Sequence, residues 1–144
     1  MVTHSPYIFD CGDVVEAILA STALPPVFSP RKFNDMVLVD GGITHPVPVE
    51  IARRYNPDIV IAVNINSPSK KNDSHNILDL SLQAFTASYY SLSVEQSKQA
   101  DFIIHPDLRM YDIFADTHNR EIYELGRAEA IKIIPSILAS LKAT

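Results

Sequence analysis

Short apolar runs alternate along the chain with stretches whose apolar residues recur every three or four positions, the pattern of strand–helix alternation. Tyr7-Ile8-Phe9 reads as the end of a strand. Asp13 is placed to cap a helix over 14–21, with Glu16 closing a capping-box pair and Val14, Ala17, Ile18 and Ser21 on one face. Pro25, Pro26 and Pro30 make the next segment a loop, since proline lacks an amide donor and restrains the residue before it. Met36 to Val39 predicts a second short strand, running straight into Asp40-Gly41-Gly42. Pro46 and Pro48 preset the first turn of a helix that carries Ile51, Ala52 and Tyr55 inward. The uninterrupted apolar run Ile59 to Val63 predicts a strand buried on both faces.

The polar stretch from Asn66 to Asn76, with Lys70 and Lys71 as solvated charges, predicts a surface loop. A long helix follows from about Asn76 to Lys98, on which Phe85, Tyr89 and Tyr90 read as core or interface aromatics. Asp101 to His105 is a further strand. The last helix begins near Asn119 and holds Ile122, Leu125, Gly126, Ala130, Ile133, Ile134, Ile137, Leu138 and Leu141 in one stripe, with Pro135 expected to kink or restart it. The expected fold class is α/β, a three-layer α/β/α arrangement with a mostly parallel sheet, in one domain spanning 1–144. The chain opens almost at once into a strand with nothing before it to cover the sheet, so this fold is expected to be truncated on its N-terminal side.

Composition narrows the possibilities. The 144 residues are 47% hydrophobic and 20% charged, which excludes a globally disordered chain. A net charge of −5, with no clustering of Lys and Arg, excludes an electrostatically driven nucleic-acid binder. No apolar run is long enough for a transmembrane segment and no signal peptide is visible, so the expected location is cytoplasmic, with peripheral membrane contact as an option. Cys11 stands alone, which rules out an internal disulfide, and without a cationic neighbour it reads as a small packing residue. The histidines His4, His75, His105 and His118 are scattered, and neither a metal nor a cofactor is expected.

The sharpest chemical signal is Leu38-Val39-Asp40-Gly41-Gly42, a carboxylate at the C-terminal end of an apolar strand, where α/β sheets build their sites. The two glycines are expected to let the chain turn with positive φ and bring backbone amides near a ligand. Spacing alone also fits an Asp that merely accepts its own backbone amides in a turn.

The surroundings of Asp40 resemble the patatin-like phospholipase family. Ala17 to Phe28 is similar to that family's helix-to-loop segment, and Leu38 to Glu50 to its Asp-Gly-Gly motif with the following proline. Asp58 to Val63 is similar to the next strand, and Ala100 to Asp107 with Gly126-Arg127 to the C-terminal end of small bacterial members. The resemblance is to the C-terminal half of the family domain. It implies a serine–aspartate dyad that hydrolyses acyl esters of lipids, with Asp40 as the dyad aspartate and Gly41 and Gly42 as oxyanion or turn support. His45 stands where the family usually carries asparagine, and is expected to pack or cap the loop.

The chain departs from the family pattern in one decisive respect. Its glycines are Gly12, Gly41, Gly42 and Gly126, so it contains no Gly-x-Ser-x-Gly elbow to expose a nucleophilic serine. The expectation is therefore a part of a lipid acyl hydrolase that supplies the aspartate and is inactive in isolation. Its expected partners are a lipid or ester substrate, and either the N-terminal half of the same domain or a self-associating copy. The alternative is a non-catalytic stand-alone α/β module that binds a partner or associates with itself.

Overall fold

A computed structural model describes residues 5–25, 27–68, 76–111 and 117–142. The expected loop charges Lys70 and Lys71, His4, His75 and Pro26 lie outside the described residues. The elements run α1 (Val14–Ser21), β1 (Arg31–Phe33), β2 (Met36–Leu38), α2 (Val49–Arg53), β3 (Ile61–Val63), α3 (Ile77–Ser97), β4 (Phe102–Ile104) and α4 (Asn119–Leu141). The α/β class holds. The single, mostly parallel sheet does not: the described strands form two separate pairs, β1–β2 antiparallel and β3–β4 parallel. The chain divides into two compact units, 1–46 and 47–144.

In the first unit, Asp13 caps α1 as expected, its Oδ1 accepting from the Val15 amide at 2.7 Å. Glu16 does not close a capping box. Arg31 on β1 claims its carboxylate through two hydrogen bonds, from Nε at 3.1 Å and from the terminal nitrogen at 2.7 Å, a fork that a single amide cannot match. β1 and β2 are joined by Asn34-Asp35, with Asn34 at φ 51°, the left-handed conformation that a two-residue hairpin turn demands. No strand forms at Tyr7–Phe9. The segment is held instead by side chains that point the same way at i and i+2, the Tyr7 and Phe9 rings lying 5.6 and 5.1 Å from Phe33. Among the described residues of this unit Ala20 and Ala23 are buried, while Val14 and Ile18, on the shared face of α1, are 69% and 55% exposed.

In the second unit the core is small: Val47, Val49, Val60 and Ala62, with Ala52 and Ala100 packed against it. α2 turns Ala52 inward as expected but leaves Tyr55 exposed. β3 is buried on one face only, since Ala62 is buried while Ile61 and Val63 are exposed. The Val60 carbonyl accepts from the Phe102 amide at 3.3 Å and the Asn64 amide donates to the Ile104 carbonyl at 2.9 Å. Even-numbered main-chain groups of β3 therefore face β4, and by strand alternation the odd-numbered ones face the opposite edge. α3 matches its predicted span, capped by Asn76 through the Asp79 amide. α4 runs unbroken through Pro135, and its predicted stripe splits: Ile122, Leu125, Ala130, Ile133 and Ile137 are half-buried, whereas Ile134, Leu138 and Leu141 are exposed.

Polar side chains do much of the joining here. Asp101 accepts from the Val60 amide at 2.7 Å and pairs with Arg53 of α2 at 2.9 Å. Asn64, 1% exposed, donates to Ser93 of α3 at 3.2 Å, while its Oδ1 accepts from the Asn66 main-chain and side-chain nitrogens.

Two outcomes follow. Asn64→Leu takes the acceptor from the two Asn66 donors and one donor from the Ser93 hydroxyl, which keeps its own bond to the Tyr90 carbonyl; this costs about 1–3 kcal/mol and lowers the urea midpoint without changing the denaturant slope. The hydrogen bonds from Arg53 and then from the Val60 amide hold the Asp101 carboxyl below the usual carboxylate range. Its contribution is complete above the ordinary value of 3.8 and is lost as pH falls through the lower folded value. The melting temperature followed against pH should thus fall less steeply below about pH 4 in Asp101→Asn than in the parent; parallel curves would refute the assignment.

Candidate functional site

Asp40 leaves the end of β2 as the cap of a short 3-10 turn, Gly41–Ile43. Its amide donates to the Ala23 carbonyl at 3.0 Å, so the buried end of the α1 segment fixes where the residue stands. Its Oδ1 accepts from the Gly42 amide at 2.7 Å. Among the described residues nothing donates to Oδ2, and the half-buried carboxylate keeps one oxygen for another partner.

The glycines behave differently from expectation. Neither Gly41 nor Gly42 takes a positive φ; Gly12 does, at 108°. The chain turns here by the 3-10 route, with the Gly41 carbonyl accepting from the amides of Thr44 at 3.2 Å and His45 at 2.8 Å. Gly42 spends its amide on Asp40, and a Cβ added at Gly41 meets nothing within 4 Å. His45 sits 2.9 Å from the Thr44 hydroxyl through Nδ1, a local contact within the loop.

Beside Asp40 lies an open cleft of about 800 Å³, within the size range of small-molecule pockets. Its lining combines Val14, Ala17, Ile18, Ala20 and Ser21 of α1 with Tyr7, Phe9 and the run Met36 to Val39. The four residues expected on one face of this helix all line the cleft, and Val14 and Ile18 stay exposed there. The role of Val37 and Val39 was missed, although their i, i+2 spacing on a strand was the available signal. The Ala23 carbonyl was not legible at all, because any residue supplies one.

Other candidates stay apart from this arrangement. Cys11 is exposed rather than packed, and a hydrogen bond with Asp10, then that residue's charge, pushes its thiol up, away from nucleophilic character. Among the described residues no group of His, Cys, Asp and Glu is arranged to hold a metal. No helix among them is long and apolar enough to cross a membrane. Phe85 and Tyr89 of α3 are half-buried against each other with rings 6.0 Å apart, and belong to the other unit.

Comparison with known proteins bears on this segment above all. The profile of the patatin-like phospholipase family matches residues 4–53, which include α1, the β1–β2 hairpin and Asp40. Uncharacterized NTE family proteins of Mycobacterium bovis and Mycobacterium tuberculosis are 40% identical over 58 residues, covering 40% of this chain and 16% of each relative. A lysophospholipase NTE1 of Meyerozyma guilliermondii is 24% identical over 161 aligned positions, covering 94% of this chain and 11% of the relative. The matched part thus spans about a sixth or less of these relatives' own length. The resemblance to patatin-like phospholipases read from the residues is shown on independent grounds.

The geometry separates three substitutions. Asp40→Ala removes the cap of the turn and should cost about 1 kcal/mol, whereas Asp40→Asn keeps an acceptor and should cost little. Gly41→Ala has both the space and an ordinary φ, and should change stability by no more than about 0.5 kcal/mol. Denaturation midpoints of the three variants check this; a large loss in Gly41→Ala would contradict the geometry.

Proposed function

We propose, from the patatin-like phospholipase resemblance carried by residues 4–53, that this chain is the C-terminal half of a lipid acyl hydrolase domain and supplies its catalytic aspartate. The observation that carries the reading is Asp40: one oxygen held by the Gly42 amide, no donor on the other among the described residues, and an apolar cleft alongside. A general base needs that combination, because one hydrogen bond orients the carboxylate while the remaining oxygen accepts the proton.

The reaction we infer runs in two halves. A serine hydroxyl attacks the ester carbonyl while Asp40 takes its proton; the C–O bond to the alcohol breaks, and Asp40 returns the proton to the leaving oxygen. Water then attacks the acyl–serine ester by the same route, with Asp40 again accepting and returning the proton, to release the fatty acid. The serine comes from outside this sequence, which contains no Gly-x-Ser-x-Gly. The isolated chain is accordingly inactive, and the other half of the domain is its partner. With Gly42 committed to Asp40, the support we assign to Gly41 and Gly42 is to the turn, and oxyanion donors would come with the serine. A cytoplasmic enzyme in peripheral contact with membranes is the setting we propose.

A non-catalytic module is the second reading, favoured by the same Asp40–Gly42 bond, since a purely structural Asx turn makes it too. One experiment separates them. In the complete native polypeptide, Asp40→Asn should lower kcat for ester hydrolysis by about 10²–10⁴-fold with the folded state intact. Undiminished turnover in that variant would remove Asp40 from the reaction, and a parent that turns over no ester would leave the non-catalytic module standing.

A further inference from the structure

The cleft beside Asp40 has a direction. Asp40 is anchored at the Ala23 carbonyl, past the C-terminal end of α1, and the lining of α1 runs back from Ser21 through Ile18 and Ala17 to Val14. At the helical rise, Ala17 stands about 6 Å and Val14 about 10 Å along the axis from Ser21, the last residue of α1. The lining is mainly apolar, with Val14 and Ile18 from the helix, Val37 and Val39 from the strand side and Tyr7, and it includes the polar Ser5, Ser21, Asp35 and Thr44. Within the helical wall the smallest side chains are Ala17 and Ala20; Ala20 is buried near the anchored end, whereas Ala17 is half-buried further along, flanked by the larger Val14 and Ile18. A mainly apolar lining that runs from a carboxylate along a helix suits a chain of methylenes attached at one end to the reacting group, since each methylene gains by leaving water.

We propose that Ala17 is the specificity-determining residue of this cleft: its small side chain lets the acyl chain of an ester substrate pass beyond the middle of α1, and so sets the length that is accepted. The inference rests on Asp40 acting as the base, and the occupant it commits to is the substrate's acyl chain, because the cleft and the carboxylate are continuous. Ala17 acts only on the distal part of the substrate. Short acyl groups, which end before reaching it, do not feel its size.

The test is an acyl-length profile. The complete native polypeptide and its Ala17→Phe and Leu19→Phe variants are assayed on nitrophenyl butyrate, octanoate and palmitate, alongside Asp40→Asn. Leu19 is exposed and outside the cleft lining, so it controls for added bulk on α1. The expected result is a fall of about tenfold or more in kcat/KM for palmitate in Ala17→Phe, with butyrate unchanged and Leu19→Phe matching the parent. Ala17→Leu repeats the measurement with a strong helix former, should the phenylalanine variant fail to fold.

Equal losses on all three esters in both Ala17 variants would overturn the proposal, showing a protein segment in the cleft or a structural role for the position. So would an unchanged profile in a polypeptide whose activity Asp40→Asn abolishes, and there the reading of Asp40 survives. If the complete polypeptide hydrolyses none of the esters, or Asp40→Asn keeps full activity, the reading of Asp40 falls and this inference with it.

Discussion

The hydrogen bond from the Asp40 amide to the Ala23 carbonyl is the constraint on which the candidate site depends. It joins the end of the α1 segment to the end of β2, which a proline-containing segment and β1 separate along the chain. Both partners are main-chain groups, so the junction tolerates change in side-chain identity but not in chain path. The buried residues beside it, Ala20 and Ala23, are small, which lets the helix end and the strand end approach closely enough for the bond to form. Arg31 and Glu16 brace the other end of the same helix against β1. The cleft is the space left between two elements that are pinned in this way.

The second unit solves a different problem with similar means. Its apolar core is too small to position two parallel strands by packing alone, and Asp101 and Asn64 supply directional contacts instead. One carboxylate reaches both the lead-in to β3 and the end of α2; one carboxamide reaches both α3 and the chain leaving β3. Parallel strands that are close in space and forty residues apart in sequence need such fixed points, because no hairpin turn sets their register.

Local chemistry was legible in the sequence wherever a residue acts on its immediate neighbours. The cap Asp13, the spans of α1 and α3, and the turn at Asp40 follow from short-range hydrogen bonding that propensity describes well. What failed were statements about which way a residue faces. Ile61 and Val63 lie in an apolar run but are exposed, and Val14 and Ile18 form a helical stripe that lines open space. Periodicity identifies a face that can be buried; what buries it is a matter of tertiary context. Glu16 shows the same limit in reverse, since a distant arginine outcompeted the local partner that the capping pattern suggested. Asp40 was singled out by its position after a strand and before two glycines together with the family resemblance of the segments around it, whereas the carbonyl that holds it carries no residue-specific mark.

The one-sided burial of β3 has a consequence for how the protein behaves in solution. Residues 59–65 are β-branched or apolar apart from Asn64, carry no charge and include no proline. The odd-numbered main-chain groups of this segment have no strand beside them among the described residues. An uncharged window of that kind with an open ladder edge is the material of strand-on-strand accretion. The colloidal stability of the protein is therefore governed by whatever occupies that edge, and a net charge of −5 spread over the rest of the surface is a weak substitute for it.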